Sequence, residues 1–167
     1  MEYIRATEKD ASAVFELVQD TISTVYPKFY PQEVAAFFCE LHSMENIRND
    51  IKSGCVFILL HNKSIVGTGS YKDNHITRVY VSPQFQGQGY GSYIMECLEN
   101  DIGLKYDSVY LDASLPASRL YEHRGYKTVK HEKITVKNCA VLIYEVMEKR
   151  LCKTDTSINY TSGLSVR

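Results

Sequence analysis

No apolar run in this sequence approaches the roughly 20 residues that a membrane helix needs. Its first residues, MEYIRATEKD, carry charges where a signal peptide would have an apolar stretch, so a cytoplasmic chain with reduced thiols and no membrane partner is expected. An excess of charge is missing too: 19 basic and 20 acidic side chains leave a net charge of −1. With no basic run either, a general electrostatic grip on nucleic acid is not expected. The five cysteines (Cys39, Cys55, Cys97, Cys139 and Cys152) are scattered, and none falls in a CxxC or Cys/His spacing suited to zinc, so no metal is expected. No GxxxxGK[ST] occurs, and a GxGxxG fingerprint starting at Gly87 or Gly89 would need glycine where Ser92 or Ile94 stands. P-loop nucleotides and nicotinamide cofactors are both disfavoured.

What is present suits one globular domain: 167 residues, 44% of them hydrophobic, are enough for a sizeable core. Residues 2–5 read as a short strand, and Thr7 followed by Asp10 resembles a capping box that opens a helix. In that helix Ala11, Val14, Phe15, Val18 and Ile22 recur at helical spacing. Pro27 and Pro31 bound an aromatic break; Pro31 can then open a second helix burying Val34, Phe37, Phe38 and Leu41, and Ser43 caps a third. Residues 55–60 and 65–71, joined by the polar turn HNKS, spell a hairpin. The strand over 76–81 does not alternate cleanly, the mark of a strand buried on both faces or of a bulge.

Farther on, Tyr90, Ile94, Met95, Leu98 and Ile102 mark a helix that stops near Gly103. A strand over 108–112, a short helix over 116–123 ended by Gly125, and two closing strands over 126–134 and 140–147 complete the pattern. Strands on both sides of helices imply an α/β (α+β) domain, a mixed sheet with helices on its faces. The domain is expected over residues 1–150, with a polar C-terminal tail over 151–167 that is loosely attached.

Between the strand at 76–81 and the following helix stands Gln86-Gly87-Gln88-Gly89-Tyr90-Gly91-Ser92. Glycines at alternate positions cost backbone order, which is accepted where positive φ or close approach of the backbone is required. Taken alone they are equally a tight turn. A strand, a glycine-rich turn and a helix N-terminus together can also hold a phosphate, because backbone N–H groups converge there. In this context Gln86-x-x-Gly89-x-Gly91 resembles the pyrophosphate signature Q/R-x-x-G-x-G/A of the GNAT N-acetyltransferase superfamily. A second segment, Ala117-Ser118-Arg119-Leu120-Tyr121-Glu122-His123-Arg124-Gly125-Tyr126, resembles the family's A-x-x-L-Y-x-x-x-G-F/Y. Together with the element order, the resemblance covers nearly the whole chain.

That resemblance implies a GNAT fold, with a mostly antiparallel central sheet of about six to seven strands and helices on both faces. It implies acetyl-CoA as cofactor and transfer of an acetyl group to a primary amine, on a small molecule or a peptide, by direct attack in a ternary complex. Residues 86–92 (Gln86, Gly87, Gln88, Gly89, Tyr90, Gly91 and Ser92) would cradle the pyrophosphate, with Ser114 and Ser118 nearby. Ser114 departs from the asparagine often found there. Val79, Tyr80 and Val81 would hold the pantetheine arm, the Val81 N–H being the leading oxyanion donor. Tyr121 matches the family tyrosine near the sulfur and is the expected general acid. His75 aligns with a catalytic glutamate of some members and is the candidate base. Tyr26, Phe29 and Tyr30 would wall the acceptor site, and C-terminal strand edges leave room for a homodimer. A protein N-terminal or lysine acetyltransferase and a non-catalytic acyl-CoA sensor remain as alternatives.

Overall fold

A computed structural model describes residues 1–151. The chain runs β1 (Glu2–Arg5), α1 (Ala11–Val25), α2 (Gln32–Leu41), α3 (Met44–Lys52), β2 (Val56–His61), β3 (Ser64–Lys72) and β4 (His75–Val81). It continues through α4 (Tyr90–Gly103), β5 (Ser108–Ala113), α5 (Ser118–His123), β6 (Lys127–Thr135) and β7 (Val141–Arg150). The strands form one seven-stranded sheet in the order β1-β2-β3-β4-β5-β7-β6. Every neighbouring pair is antiparallel except β4 and β5. This is the mixed α/β architecture that the sequence pattern implies, with β7 inserted between β5 and β6 so that β6 becomes an exposed edge.

Local chemistry explains most element ends. The Thr7 amide and hydroxyl both donate to Asp10 Oδ2 at 2.8 Å, and this box closes a short 3-10 turn from which α1 continues. Ser43 Oγ accepts the Asn46 amide at 3.3 Å and opens α3. The second helix buries Val34 and Ala35, with Phe37 and Phe38 partly buried. Leu41, expected in its core, is instead 46% exposed, because the helix ends there and turns Leu41 toward a cavity described below. At β4 both readings of the irregular pattern hold: the register steps from Ser70↔Arg78 to Tyr71↔Ile76, so Thr77 is the extra residue of a bulge.

Two apolar layers cover the sheet. Val14, Val18 and Ile22 of α1, Val34 of α2 and Ile47 of α3 pack on one face, where Tyr80 of β4 joins them. On the other face Ile94, Met95, Leu98 and Ile102 of α4 pack with Ile76 and Val81 of β4 and Leu111 of β5. The second layer owes its closeness to Gly67 and Gly69 of β3. A Cβ at Gly67 would lie 2.7 Å from Ile94 Cδ1, and one at Gly69 2.7 Å from both Ile94 Cγ2 and the Tyr3 hydroxyl. Helix α4 therefore rests directly on the β3 backbone. Leu151 belongs to this layer as well, its amide donating to the Asp107 carbonyl at 2.9 Å, so the packed domain runs past residue 150. The rest of the expected tail, residues 152–167 with Cys152, lies outside the described residues. Cys39, Cys55, Cys97 and Cys139 are free thiols. Among the described residues no helix is long and apolar enough to cross a membrane.

The close approach of α4 to β3 makes a direct prediction. Gly69→Ala is expected to cost about 1–3 kcal/mol, the usual range for overpacking a filled core, read as a lower urea midpoint with an unchanged slope. A variant as stable as the parent would show that α4 has room to shift.

Candidate active site

Strands β4 and β5 are hydrogen-bonded through only two register pairs, His75↔Tyr110 and Ile76↔Leu111, and then diverge. Each keeps its other neighbour: β4 stays on β3 as far as Val81, and β5 stays on β7 as far as Ala113. A splay therefore opens inside an otherwise continuous sheet. The Ser82 amide donates to the Val66 carbonyl at 3.0 Å. In the alternating antiparallel ladder, this turns the N–H and C=O groups of Val79 and Val81 away from β3, toward the splay. The Val81 carbonyl accepts Gln86 Nε2 at 2.9 Å, while Gln86 belongs to the glycine turn, so turn and strand are tied together.

A cavity of about 720 Å³ occupies the splay. At one end stands the glycine turn. Gly87 and Gly89 have φ of +76° and +87°, the left-handed region that favours glycine, and a Cβ at either would meet nothing within 4 Å. Their backbone therefore faces open space. Helix α4 begins here, with the Tyr93 amide as the first to find an intrahelical partner, the Gly89 carbonyl at 3.0 Å. The N–H groups of Tyr90, Gly91 and Ser92 have none, and they sit at the positive end of a 14-residue helix. Gln86, Gly87, Gly89, Gly91 and Ser92 all line the cavity. Gln88 and Tyr90 do not: the Gln88 side chain donates to the Gln84 carbonyl, and the Tyr90 ring is buried against Phe85 and His61.

In the middle lie phenols. Tyr121 of α5 lines the cavity from a buried position, its ring 5.9 Å from that of Tyr126. Burial, with the neighbouring Tyr26, pushes its pKa well up, so the phenol holds its proton at neutral pH. The Tyr26 hydroxyl is 3.2 Å from that of Tyr80 and 3.3 Å from Ser114 Oγ, and all three residues line the cavity beside Val79 and Val81. Ser118 does not; its hydroxyl donates to the Ser114 carbonyl and secures the start of α5. Of the expected aromatic wall, only Tyr26 faces the cavity. Tyr30 is used elsewhere, its hydroxyl accepting the Leu115 amide at 2.7 Å, and Phe29 is turned outward by the 3-10 turn over Tyr26–Lys28 and is 48% exposed.

His75 also lines the cavity, where β4 and β5 still pair. Its ring stacks on Tyr110 at 4.4 Å, nearly parallel, and its Nε2 lies 3.2 Å from Asp112 Oδ2. Nothing in the local sequence marks Asp112; only the parallel pairing brings it under His75. The same holds for His42, Asp50 and Arg78, which line the end nearest α2 and α3. Among the described residues no group of His, Cys, Asp and Glu is arranged to hold a metal ion.

Behind α5 lies a charged tie. Arg124 makes two hydrogen bonds to Glu99 of α4, at 3.0 and 2.8 Å, and Lys149 of β7 adds a third at 2.8 Å. Burial by itself would raise the Glu99 carboxyl, but the bonds to Arg124 and Lys149 outweigh it and hold the pKa below its ordinary value. The tie fixes the helix carrying Tyr121 to the helix whose N-terminus faces the cavity.

Comparison with known proteins agrees with this geometry. The model of the acetyltransferase (GNAT) domain family matches residues 25–147. An uncharacterized N-acetyltransferase of Schizosaccharomyces pombe is 42% identical over 55 residues, 32% of this chain; that stretch spans only 23% of the relative's length. A GCN5-related N-acetyltransferase from Rhodopseudomonas palustris superposes with a TM-score of 0.83 at 21% identity, covering 90% of this chain and 95% of that one. The yncA putative acetyltransferase of Salmonella typhimurium, determined with its cofactor acetyl-CoA, gives a TM-score of 0.71 at 17% identity over 92% and 95% of the two chains. The paia N-acetyltransferase of Thermoplasma acidophilum, in complex with coenzyme A, gives 0.70 at 16% identity over 90% and 98%. At these identities the structural likeness is one of fold.

The tie behind α5 carries its own prediction. Because the folded pKa of Glu99 is depressed, its contribution is present above the unfolded carboxylate pKa and disappears as pH falls through the folded value. Glu99→Gln should therefore cost about 1.5–3 kcal/mol at neutral pH, the range for hydrogen bonds to charged groups. The gap between variant and parent should narrow as the medium is acidified. A gap that is constant down to acid pH would mean the tie contributes through packing alone.

Proposed function

Because the chain belongs to the GNAT acetyltransferase family, we propose that it is an acetyl-CoA-dependent N-acetyltransferase. It passes the acetyl group to a primary amine by direct attack within a ternary complex. The observation that carries this reading is the meeting, in one cavity, of a helix N-terminus with free amides, an opened strand edge and a buried protonated tyrosine. Acetyl-CoA, the donor used by this family, supplies a thioester whose carbonyl carbon is attacked and whose sulfur leaves with the bonding electrons.

The residues fit that donor. Amides of Tyr90, Gly91 and Ser92, with the turn at Gly87 and Gly89, would present N–H groups to the pyrophosphate; a Cβ at Gly87 or Gly89 would meet nothing within 4 Å. Val79 would offer a backbone donor and acceptor to the amide-bearing arm, and the Val81 N–H, which faces the splay, would stabilise charge growing on the thioester oxygen. The Tyr121 hydroxyl donates its proton to the departing sulfur; the raised pKa keeps that proton available at neutral pH. His75 accepts the proton of the attacking amine. Asp112 Oδ2 lies 3.2 Å from its Nε2, a nitrogen that is buried and makes no hydrogen bond in the structure, so the ring is free to take up a proton partner.

Two predictions follow from these roles. Acetyl-CoA at about a hundredfold over its Kd should add roughly 2.7 kcal/mol of stability, and Tyr121→Phe should keep that gain while losing about tenfold or more in turnover. Unchanged turnover would remove the tyrosine from the mechanism. His75→Gln is expected to slow turnover about tenfold or more while leaving acetyl-CoA binding unchanged, since glutamine cannot accept the amine proton. A variant with parental turnover would show that another group accepts the amine proton.

A further inference from the structure

The end of the cavity nearest α2 and α3 holds a cluster that the steps above leave unused: His42 just after α2, Asp50 of α3 and Arg78 of β4. Arg78 and Tyr80 stand two residues apart on one strand and so project to the same face, which places the guanidinium one strand step from the phenol cluster. Only 3% of the Arg78 side chain is exposed. Its Nη2 lies 2.8 Å from Asp50 Oδ2, on a side chain that is itself 47% exposed and partly solvated. Nη1 is buried with no hydrogen-bond partner. A guanidinium has donors on every nitrogen and no acceptor, so this one is under-used in a place where unmet donors are costly.

His42 is held by the same group. Its Nδ1 is 3.4 Å from both Nε and Nη2 of Arg78. Both neighbours are donors only, so Nδ1 presents its lone pair and the proton sits on Nε2. Burial, helped by the Arg78 charge, pushes the His42 pKa down to about 3, which agrees with a neutral ring. The ring packs edge-on against Tyr80 at 5.3 Å. Nε2–H is the donor left free on a residue that lines the cavity.

This wall therefore offers hydrogen-bond donors and one buried positive charge that a half-exposed carboxylate only partly offsets. A simple cationic amine has nothing to gain from it: the nearest carboxylate, Asp50, is already engaged. One guanidinium and one neutral imidazole suit a planar monoanion better than a doubly charged phosphate. We infer that the amine acceptor carries a carboxylate, seated against the Arg78 guanidinium and the His42 Nε2–H, so that small amino-carboxylates such as free amino acids are the preferred substrates. This rests on the acetyltransferase reading, because it places the acceptor in the same cavity. In these terms His42 and Arg78 are specificity residues, outside the chemical step.

The test uses the wild-type protein and matched triplets: an amino acid, its carboxamide and its decarboxylated amine. With acetyl-CoA as donor, kcat/KM for the carboxylate form should exceed both others by about tenfold or more, the discrimination expected from hydrogen bonds to a charged group. In parallel, N-acetylamino acids should raise the melting temperature of the coenzyme A complex while their carboxamides do not. His42→Gln should raise KM for carboxylate acceptors and leave KM for acetyl-CoA unchanged. Carboxylate-dependent stabilisation without turnover of any triplet would uphold the pocket and sink the transferase reading. Equal kcat/KM across the triplets, or equal melting shifts for acids and amides, would overturn the inference.

Discussion

Everything at the candidate site depends on how little holds β4 to β5. Two register pairs join them, and from there each strand is committed to its outer neighbour, β4 to β3 and β5 to β7. Further pairing would close the sheet and satisfy the backbone of Val79 and Val81 internally. Because the strands part instead, the Val81 carbonyl is met by the Gln86 side chain, while the Val79 N–H and C=O and the Val81 N–H are left for water or a ligand rich in amides. The Thr77 bulge sits where the strands part, adding local twist at the residue that follows the last β4–β5 pair. The opening is therefore a property of strand pairing, and the side chains around it are placed by that opening.

The two helices at the rim are set by contacts on their far sides. Helix α4 reaches the opening at the correct height because Gly67 and Gly69 let its Ile94 and Leu98 press onto the β3 backbone. Helix α5 follows α4, since Arg124 at its end grips Glu99 with two hydrogen bonds and Lys149 grips the same carboxylate from β7. The free amides of α4 and the Tyr121 phenol thus belong to one rigid frame. A change remote from the cavity can misplace either by the fraction of an ångström that matters for transfer chemistry.

Legibility in the sequence followed the range of the interaction. The glycine turn was readable because its demand is local: positive φ at Gly87 and Gly89, between a strand and a helix start. The capping box at Thr7 and Asp10, the hairpin of β2 and β3 and the irregular β4 are equally local, and they appear where the pattern places them. Asp112 was invisible because it meets His75 only through a parallel pairing between strands separated by α4. His42, Asp50 and Arg78 converge from three elements, and none carries a local signature. Tyr30 misled for the opposite reason. Its aromatic neighbourhood suggested a wall, while its hydroxyl serves the backbone of the loop after β5. Gly67 and Gly69 do carry a local signal of the α4 packing, since glycine inside a strand commonly marks close approach of another element.

The distribution of charge along the cavity bears on how an amine becomes reactive there. One end offers the positive pole of α4, the other the buried guanidinium of Arg78. Between them stand Tyr26, Tyr80 and Tyr121, and burial raises the pKa of all three, so these phenols form an uncharged stretch of the wall at neutral pH. Such a stretch disfavours the ammonium form of any amine drawn against it, by the same desolvation that keeps the phenols protonated. In the proposed transfer, the proton that has to leave before attack would thus be weakened by the surroundings, and less would be asked of His75. Anchoring an acceptor by a distant negative group, while its nitrogen lies against the uncharged phenols, separates the task of binding from that of activation.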